Sequence, residues 1–129
     1  MAKRNKILIA DDMPANREVY TSILESEFPN YSIEAFKDGN SLVSRIEEGV
    51  NDVGMILTDN QMPGINGSDI IAKYAINPEF GVPFILVTGD GKDVGEEACK
   101  NGAFGYLLKP FGFPQFTDLV NRALNYVKE

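Results

Sequence analysis

Four apolar runs in the sequence each end in a side chain capable of chemistry. Lys6-Ile7-Leu8-Ile9-Ala10 runs into Asp11-Asp12, and Met55-Ile56-Leu57-Thr58 runs into Asp59, with Asn60-Gln61-Met62-Pro63-Gly64 directly after it. Phe84 to Val87 leads to Thr88-Gly89-Asp90-Gly91, and Ala103 to Leu108 leads to Lys109-Pro110. Taken singly, each group has a plainer reading: Asp59 opens a turn, Asp12 caps a helix, Thr88 ends a strand and Lys109 is a solvated charge. Those readings leave unexplained why four separate runs end in complementary groups. Three carboxylates brought together repel one another, which raises at least one pKa unless a cation sits among them. Mg²⁺ meets that need with oxygen ligands and keeps waters that a phosphate oxygen can replace. Lys109 is a compact cation able to pair with Asp59 or with such an oxygen, and the Thr88 hydroxyl can donate a further hydrogen bond.

These groups converge only if the runs are strands of one parallel sheet, whose carboxyl ends share an edge. Short apolar runs closed by turn residues read as buried strands. The sequence predicts strands at 6–10, 32–36, 53–58, 82–88 and 103–108. Between them, apolar residues recur at helical spacing. Val19, Tyr20, Ile23, Leu24 and Phe28 follow Met13-Pro14, with Pro suited to a first turn. Leu42, Val43, Ile46 and Val50 follow the turn-like 37–40 segment, and Ile70, Ile71, Tyr74 and Ala75 follow the Pro63-Gly64 and Asn66-Gly67 turns. The helix at 92–101 is poor: Gly95 interrupts it and only Val94 and Ala98 offer an apolar face, so it is expected to be the most mobile element. The last helix, about 114–127, carries Phe116, Leu119, Val120, Ala123, Leu124 and Val127 on one stripe. Strand and helix alternate five times, which makes an α/β domain with a parallel, doubly wound sheet.

With 129 residues, the chain fits one domain able to bury a core. A net charge of −7 argues against nucleic acid and anionic membranes as partners. The absence of histidine removes Ser-His and Cys-His catalysis, and with one cysteine it removes the usual zinc sites. Cys99 rules out an internal disulfide and reads as a half-buried helix residue. The start of the chain lacks the apolar stretch of a secretory signal, so a cytoplasmic location is expected.

Asp11-Asp12, Asp59 with Met62-Pro63-Gly64 and Gly67, Thr88-Gly89, and Lys109-Pro110-Phe111 together resemble the receiver domain of two-component response regulators. The resemblance runs over essentially the whole chain, residues 1–129. It implies the flavodoxin-like fold, a (βα)5 three-layer sandwich with a parallel sheet in the order 2-1-3-4-5. It implies a regulatory phosphoacceptor rather than an enzyme. Asp59 would accept a phosphoryl group, with Mg²⁺ (or Mn²⁺), from a phosphohistidine on a sensor histidine kinase or histidine phosphotransferase. By position, Asp12, the Asp59 side chain and the Gln61 backbone carbonyl would ligate the metal, with Asp11 reaching it mainly through water. Lys109 and Thr88 would hold the phosphoryl oxygens, and Tyr106 fits the family's switch aromatic, although an edge aromatic packed on its neighbours is the bland reading. The switch would bias the face made by the fourth helix, last strand and fifth helix toward a downstream protein or a phosphorylation-dependent dimer. The Lys109-Pro110 bond would be cis. Asn16, Arg17 and Asn60-Gln61-Met62-Pro63 further resemble receivers attached to hybrid sensor kinases. Gln61 and Asp90, two residues past Asp59 and Thr88, would stand where water approaches the acyl phosphate and tune its hydrolysis.

Three other readings share parts of this pattern. A Mg²⁺-dependent phosphohydrolase with an Asp nucleophile would carry Asp-x-Asp rather than Asp11-Asp12 and would need a cap domain. A receiver-shaped binding module that is never phosphorylated would not need the complete set of acids, Thr and Lys. A flavin-binding protein would need a phosphate-cradling loop where Asp11-Asp12 would repel the ligand. The sequence stops after the fifth helix, which reads either as a single-domain regulator, favoured by Met1 and the lack of a linker, or as a receiver cut from a larger protein.

Overall fold

The computed structural model describes residues 3–126. Strands and helices alternate as β1 (Lys6–Ala10), α1 (Pro14–Glu27), β2 (Ser32–Phe36), α2 (Gly39–Glu47), β3 (Val53–Asp59), α3 (Gly67–Tyr74), β4 (Phe84–Thr88), α4 (Lys92–Lys100), β5 (Gly105–Leu108) and α5 (Phe113–Leu124). The strands pair in parallel in the order β2-β1-β3-β4-β5, the flavodoxin-like arrangement.

The apolar runs become central strands because helices cover both faces of the sheet. Every residue of β4 is buried, as are Ile7 to Ala10 in β1. Successive residues of a strand face opposite sides. Ile7, Ile9, Met55, Leu57, Ile85, Val87 and Leu107 therefore pack with Tyr20 and Leu24 of α1 and with Phe116, Leu119, Val120 and Ala123 of α5. Leu8, Ala10, Ile56, Phe84 and Leu86 pack on the other side with Leu42, Ile46, Ile70, Ile71 and Ala98 from α2, α3 and α4. The β1–β3 register slips between Lys6 and Ile7. Gly54 lies at the slip, where a Cβ would stand 2.9 Å from the Arg4 carbonyl oxygen, so the bulge needs a bare backbone there.

Several local expectations change. The 37–40 segment is not wholly a turn: the Asp38 carboxylate accepts a hydrogen bond from the Ser41 N–H at 2.7 Å, and α2 begins at Gly39. α3 likewise begins at Gly67, one residue after an Asn66 N-cap. β4 starts at Phe84 rather than Val82, Pro83 having no N–H to give the ladder. A 3-10 turn occupies Pro78–Phe80, with the Asn77 side chain accepting from Glu79 N–H. Val19 and, on the edge strand β2, Ala35 are exposed. Cys99 is exposed too, on the outer side of α4, rather than half-buried. α4 is continuous through Gly95, which is buried instead of breaking the helix. Val127 lies outside the described residues. Among the described residues no helix is long and apolar enough to cross a membrane.

Candidate functional site

Register brings the four strand ends level. Ala10 pairs with Thr58, Asp59 with Val87, and Thr88 with Leu108. The next residues, Asp11 and Lys109 among them, therefore leave the sheet at one height. One carboxylate oxygen from each of Asp11, Asp12 and Asp59 lies within 4.8 Å of the others. Asp11 is fully buried, Asp59 nearly so, and Asp12 is exposed at the mouth. The Lys109 ammonium stands 2.9 Å from Asp59 Oδ1 and 4.0 Å from Asp11 Oδ2. The Lys109–Pro110 peptide is cis.

Three acids facing one ammonium leave the cluster negative. Burial pushes the Asp59 carboxyl above the ordinary carboxylate range; Lys109 pulls it down and Asp11 pushes it up, and the net shift is upward. Burial lowers Lys109, but its hydrogen bond to Asp59 and the charges of Asp59, Asp11 and Asp12 outweigh that and hold it above its usual value. Both groups thus bind protons more tightly than usual, Asp59 chiefly through burial and Lys109 through the carboxylates around it, in a cluster short of positive charge. An all-oxygen donor set with this deficit suits a hard divalent cation.

Thr88 is buried, and its hydroxyl is turned toward Asp90: Oγ1 donates to Asp90 Oδ2 at 3.3 Å and accepts from Asp90 N–H at 2.9 Å. The same Asp90 carboxylate accepts from Gln61 Nε2 at 2.9 Å and from Asn60 Nδ2 at 3.1 Å. Asp90 therefore ties the loop after β3 to the loop after β4. Tyr106 is not among the carboxylates; its ring is half-buried on the α4 side of the sheet, next to Gly95.

Residues 7–121 match the family described as response regulator receiver domain. The chain belongs to that family. This receiver domain is 32% identical over 111 residues to chemotaxis protein CheY-3 of Vibrio cholerae, covering 84% of this chain and 83% of that one. It is 31% identical over 121 residues to the glycerol metabolism activator of Pseudomonas putida, covering 93% of this chain but spanning only 54% of that relative's length. A response regulator receiver domain protein from Clostridium thermocellum shares the fold with a TM-score of 0.82 at 28% identity, over 97% of this chain and 95% of that one. Receiver domains of two-component response regulators are regulatory phosphoacceptor switches, and this chain is a domain of that kind.

The receiver site holds side chains that strand-end reasoning passed over. Asn60, buried directly after Asp59, accepts from Ser68 N–H at 2.9 Å while donating to Asp90, so it joins the first turn of α3 to the β4–α4 loop. Asn16 Nδ2 donates to Asp11 Oδ2 at 3.2 Å, and Met13 N–H donates to Asp11 Oδ1 at 2.9 Å. Arg17 Nη1 donates to the Asp11 carbonyl at 2.7 Å. The first two hold the buried Asp11 carboxylate and the third holds its main chain, so these buried polar atoms are all paired. Asn16 and Arg17 are visible in the sequence only as a short motif after Asp11-Asp12. A polar residue directly after Asp59, where the chain should still be buried, was the available signal for Asn60.

Proposed function

We propose that residues 1–129 form one receiver domain in which Asp59 is the phosphoacceptor, taking its phosphoryl group from a phosphohistidine on a sensor histidine kinase or histidine phosphotransferase. The observation that carries this is Asp59 itself: a nearly buried carboxylate at a strand end, 2.9 Å from a lysine and grouped with two further acids. The Asp59 oxygen attacks phosphorus in line, the bond to the donor nitrogen breaks, and an aspartyl phosphate forms. Mg²⁺ (or Mn²⁺), held by Asp12, the Asp59 side chain and the Gln61 carbonyl, with Asp11 acting mainly through water, would neutralise charge on the phosphoryl oxygens. Lys109 leaves its pairing with Asp59 for a phosphoryl oxygen. Thr88 turns from Asp90 to another, and Tyr106 moves into the space beside it. The face formed by α4, β5 and α5 then favours a downstream protein or a second copy. The cytoplasm, where such kinases present their phosphohistidine, is the proposed location.

Intact mass after incubation with acetyl phosphate and Mg²⁺ tests the reading. One added phosphoryl group, absent when Mg²⁺ is withheld, is expected; no addition where another receiver reacts would point to a binding module instead. Mg²⁺ alone is also expected to raise the melting temperature, by the equivalent of about 1.4 kcal/mol at ten times its Kd. The pH dependence has a definite sign. Asp59 binds its proton more tightly folded than unfolded, so without a cation its contribution is full below the usual Asp pKa of about 3.9 and is lost as pH rises through the raised value. Mg²⁺ binding opposes that loss, so its stabilisation grows with pH through the same window.

Asp90 sets the lifetime of the product in this scheme. Asp90→Asn removes a negative charge beside the phosphoryl group and cannot satisfy three donors with one carbonyl oxygen, so Thr88 is freed. Slower loss of the acyl phosphate, by several-fold, is expected from the decay of the phosphorylated mass. An unchanged rate removes Asp90 from the account.

A further inference from the structure

Gly95 occupies the second turn of α4, where alanine would favour the helix more. Its place is explained by β5. A methyl group built on Gly95 would clash with Cγ, Cδ2 and Cε2 of the Tyr106 ring, and those are the three atoms nearest to it. These atoms lie at the root and side of a rigid ring, not at the end of a flexible chain, so they cannot give way without the whole side chain turning. Neighbouring Leu107 faces the α5 side of the sheet and holds the strand in register, leaving side-chain rotation as the route of escape.

We propose that Gly95 is a positioning residue: its bare backbone is the seat that holds Tyr106 on α4 while the Thr88 hydroxyl is committed to Asp90. This rests on the switch role given to Tyr106 above. The depth of the seat then sets how readily the domain leaves that arrangement. Any side chain at 95 evicts the ring and shifts the population toward the arrangement that phosphorylation favours. By linkage, a protein already shifted accepts the phosphoryl group more readily.

The test uses Gly95→Ala, Tyr106→Ala and the double variant of the full chain. Gly95→Ala is expected to lower the melting temperature in the presence of the Tyr106 ring, and to raise it in the Tyr106→Ala background, where only helix propensity remains. In protein with labelled tyrosine, nuclear Overhauser contacts between the Tyr106 ring and the Hα of Gly95 are expected, and they disappear in Gly95→Ala. Asp59 labelling by acetyl phosphate with Mg²⁺ is expected to quicken about fivefold in Gly95→Ala, but not when the double variant is compared with Tyr106→Ala. Should Gly95→Ala lower the melting temperature equally in both backgrounds, or should the ring contacts persist in that variant, the seat is overturned. A displaced ring with an unchanged labelling rate overturns its control of the switch. Wild-type protein that takes no label counts against Asp59 as phosphoacceptor, and the melting temperatures then judge the seat by themselves.

Discussion

Asp59→Asn is expected to keep its unmodified mass under conditions where the wild-type protein gains one phosphoryl group, and to melt no lower than the wild type. The loss of labelling should be on the order of 10³-fold or more, the scale on which removing a nucleophile acts. The amide has the shape of the carboxylate, but its oxygen carries no full charge and its nitrogen lone pair is delocalised, so neither atom attacks phosphorus. The stability expectation comes from the raised Asp59 pKa: burial and Asp11 already favour a neutral group at this position. Asparagine supplies one, and its oxygen can still accept from Lys109. Chemistry is lost and stability is kept or gained. A variant that melted well below the wild type would show instead that the Asp59 charge is needed to hold the strand ends together. Intact mass and a thermal melt, each with and without Mg²⁺, read both halves.

Lys109→Met separates binding from transfer. The ammonium sits 2.9 Å from Asp59 Oδ1 and 4.0 Å from Asp11 Oδ2, and it is the only cation within salt-bridge reach of either among the described residues. Methionine keeps an unbranched chain one atom shorter and removes the charge. Phosphoryl transfer is expected to slow by about 10²–10³-fold, as when one preorganised donor is removed from a developing oxyanion. Mg²⁺ affinity should hold or improve, because a competing cation has left an acidic site. Without Mg²⁺ the variant should be destabilised near neutral pH, where Asp59 and Asp11 face each other unscreened. The sign is consistent with the raised Lys109 pKa: its contribution is full below the usual lysine value and is lost only as pH rises through the raised one. Titrating Mg²⁺ by calorimetry beside the labelling rate distinguishes the two effects. Weaker Mg²⁺ binding would mean that Lys109 shapes the acid cluster rather than serving transfer.

The architecture was legible because the apolar runs of β1, β3, β4 and β5 are short, nearly continuous and closed by polar or turn residues, which fixes where each strand ends. The grouping of Asp11, Asp12, Asp59 and Lys109 followed from those ends. The strand order came from family resemblance, since periodicity carries no information about which strands are neighbours. The misread places have two physical causes: a helix start that resembles a turn, and a residue whose meaning depends on a partner distant in sequence. Asp38-Gly39 looks like a turn until its carboxylate is seen capping Ser41, and Gly67 looks like turn chemistry although it opens α3. Gly95 looks like a helix breaker because the ring that requires it arrives from another strand. Asn60 has the same character, since its two partners, Ser68 and Asp90, lie on separate loops.

The acid cluster and its lysine come from opposite ends of the sequence, Asp11 from the end of β1 and Lys109 from the end of β5. During synthesis Asp59, the proposed acceptor, therefore leaves the ribosome well before the lysine that completes its surroundings. Until β5 docks against β4, a nascent chain has the acceptor carboxylate but lacks the lysine and the seated tyrosine. The same holds for a mature molecule whose four-residue β5 has peeled away. Under the proposed function, such molecules would be labelled slowly and would lack the seated ring that relays the signal. Under the proposed function, the last strand would then be a folding checkpoint, and signalling competence would be gained only as folding is completed.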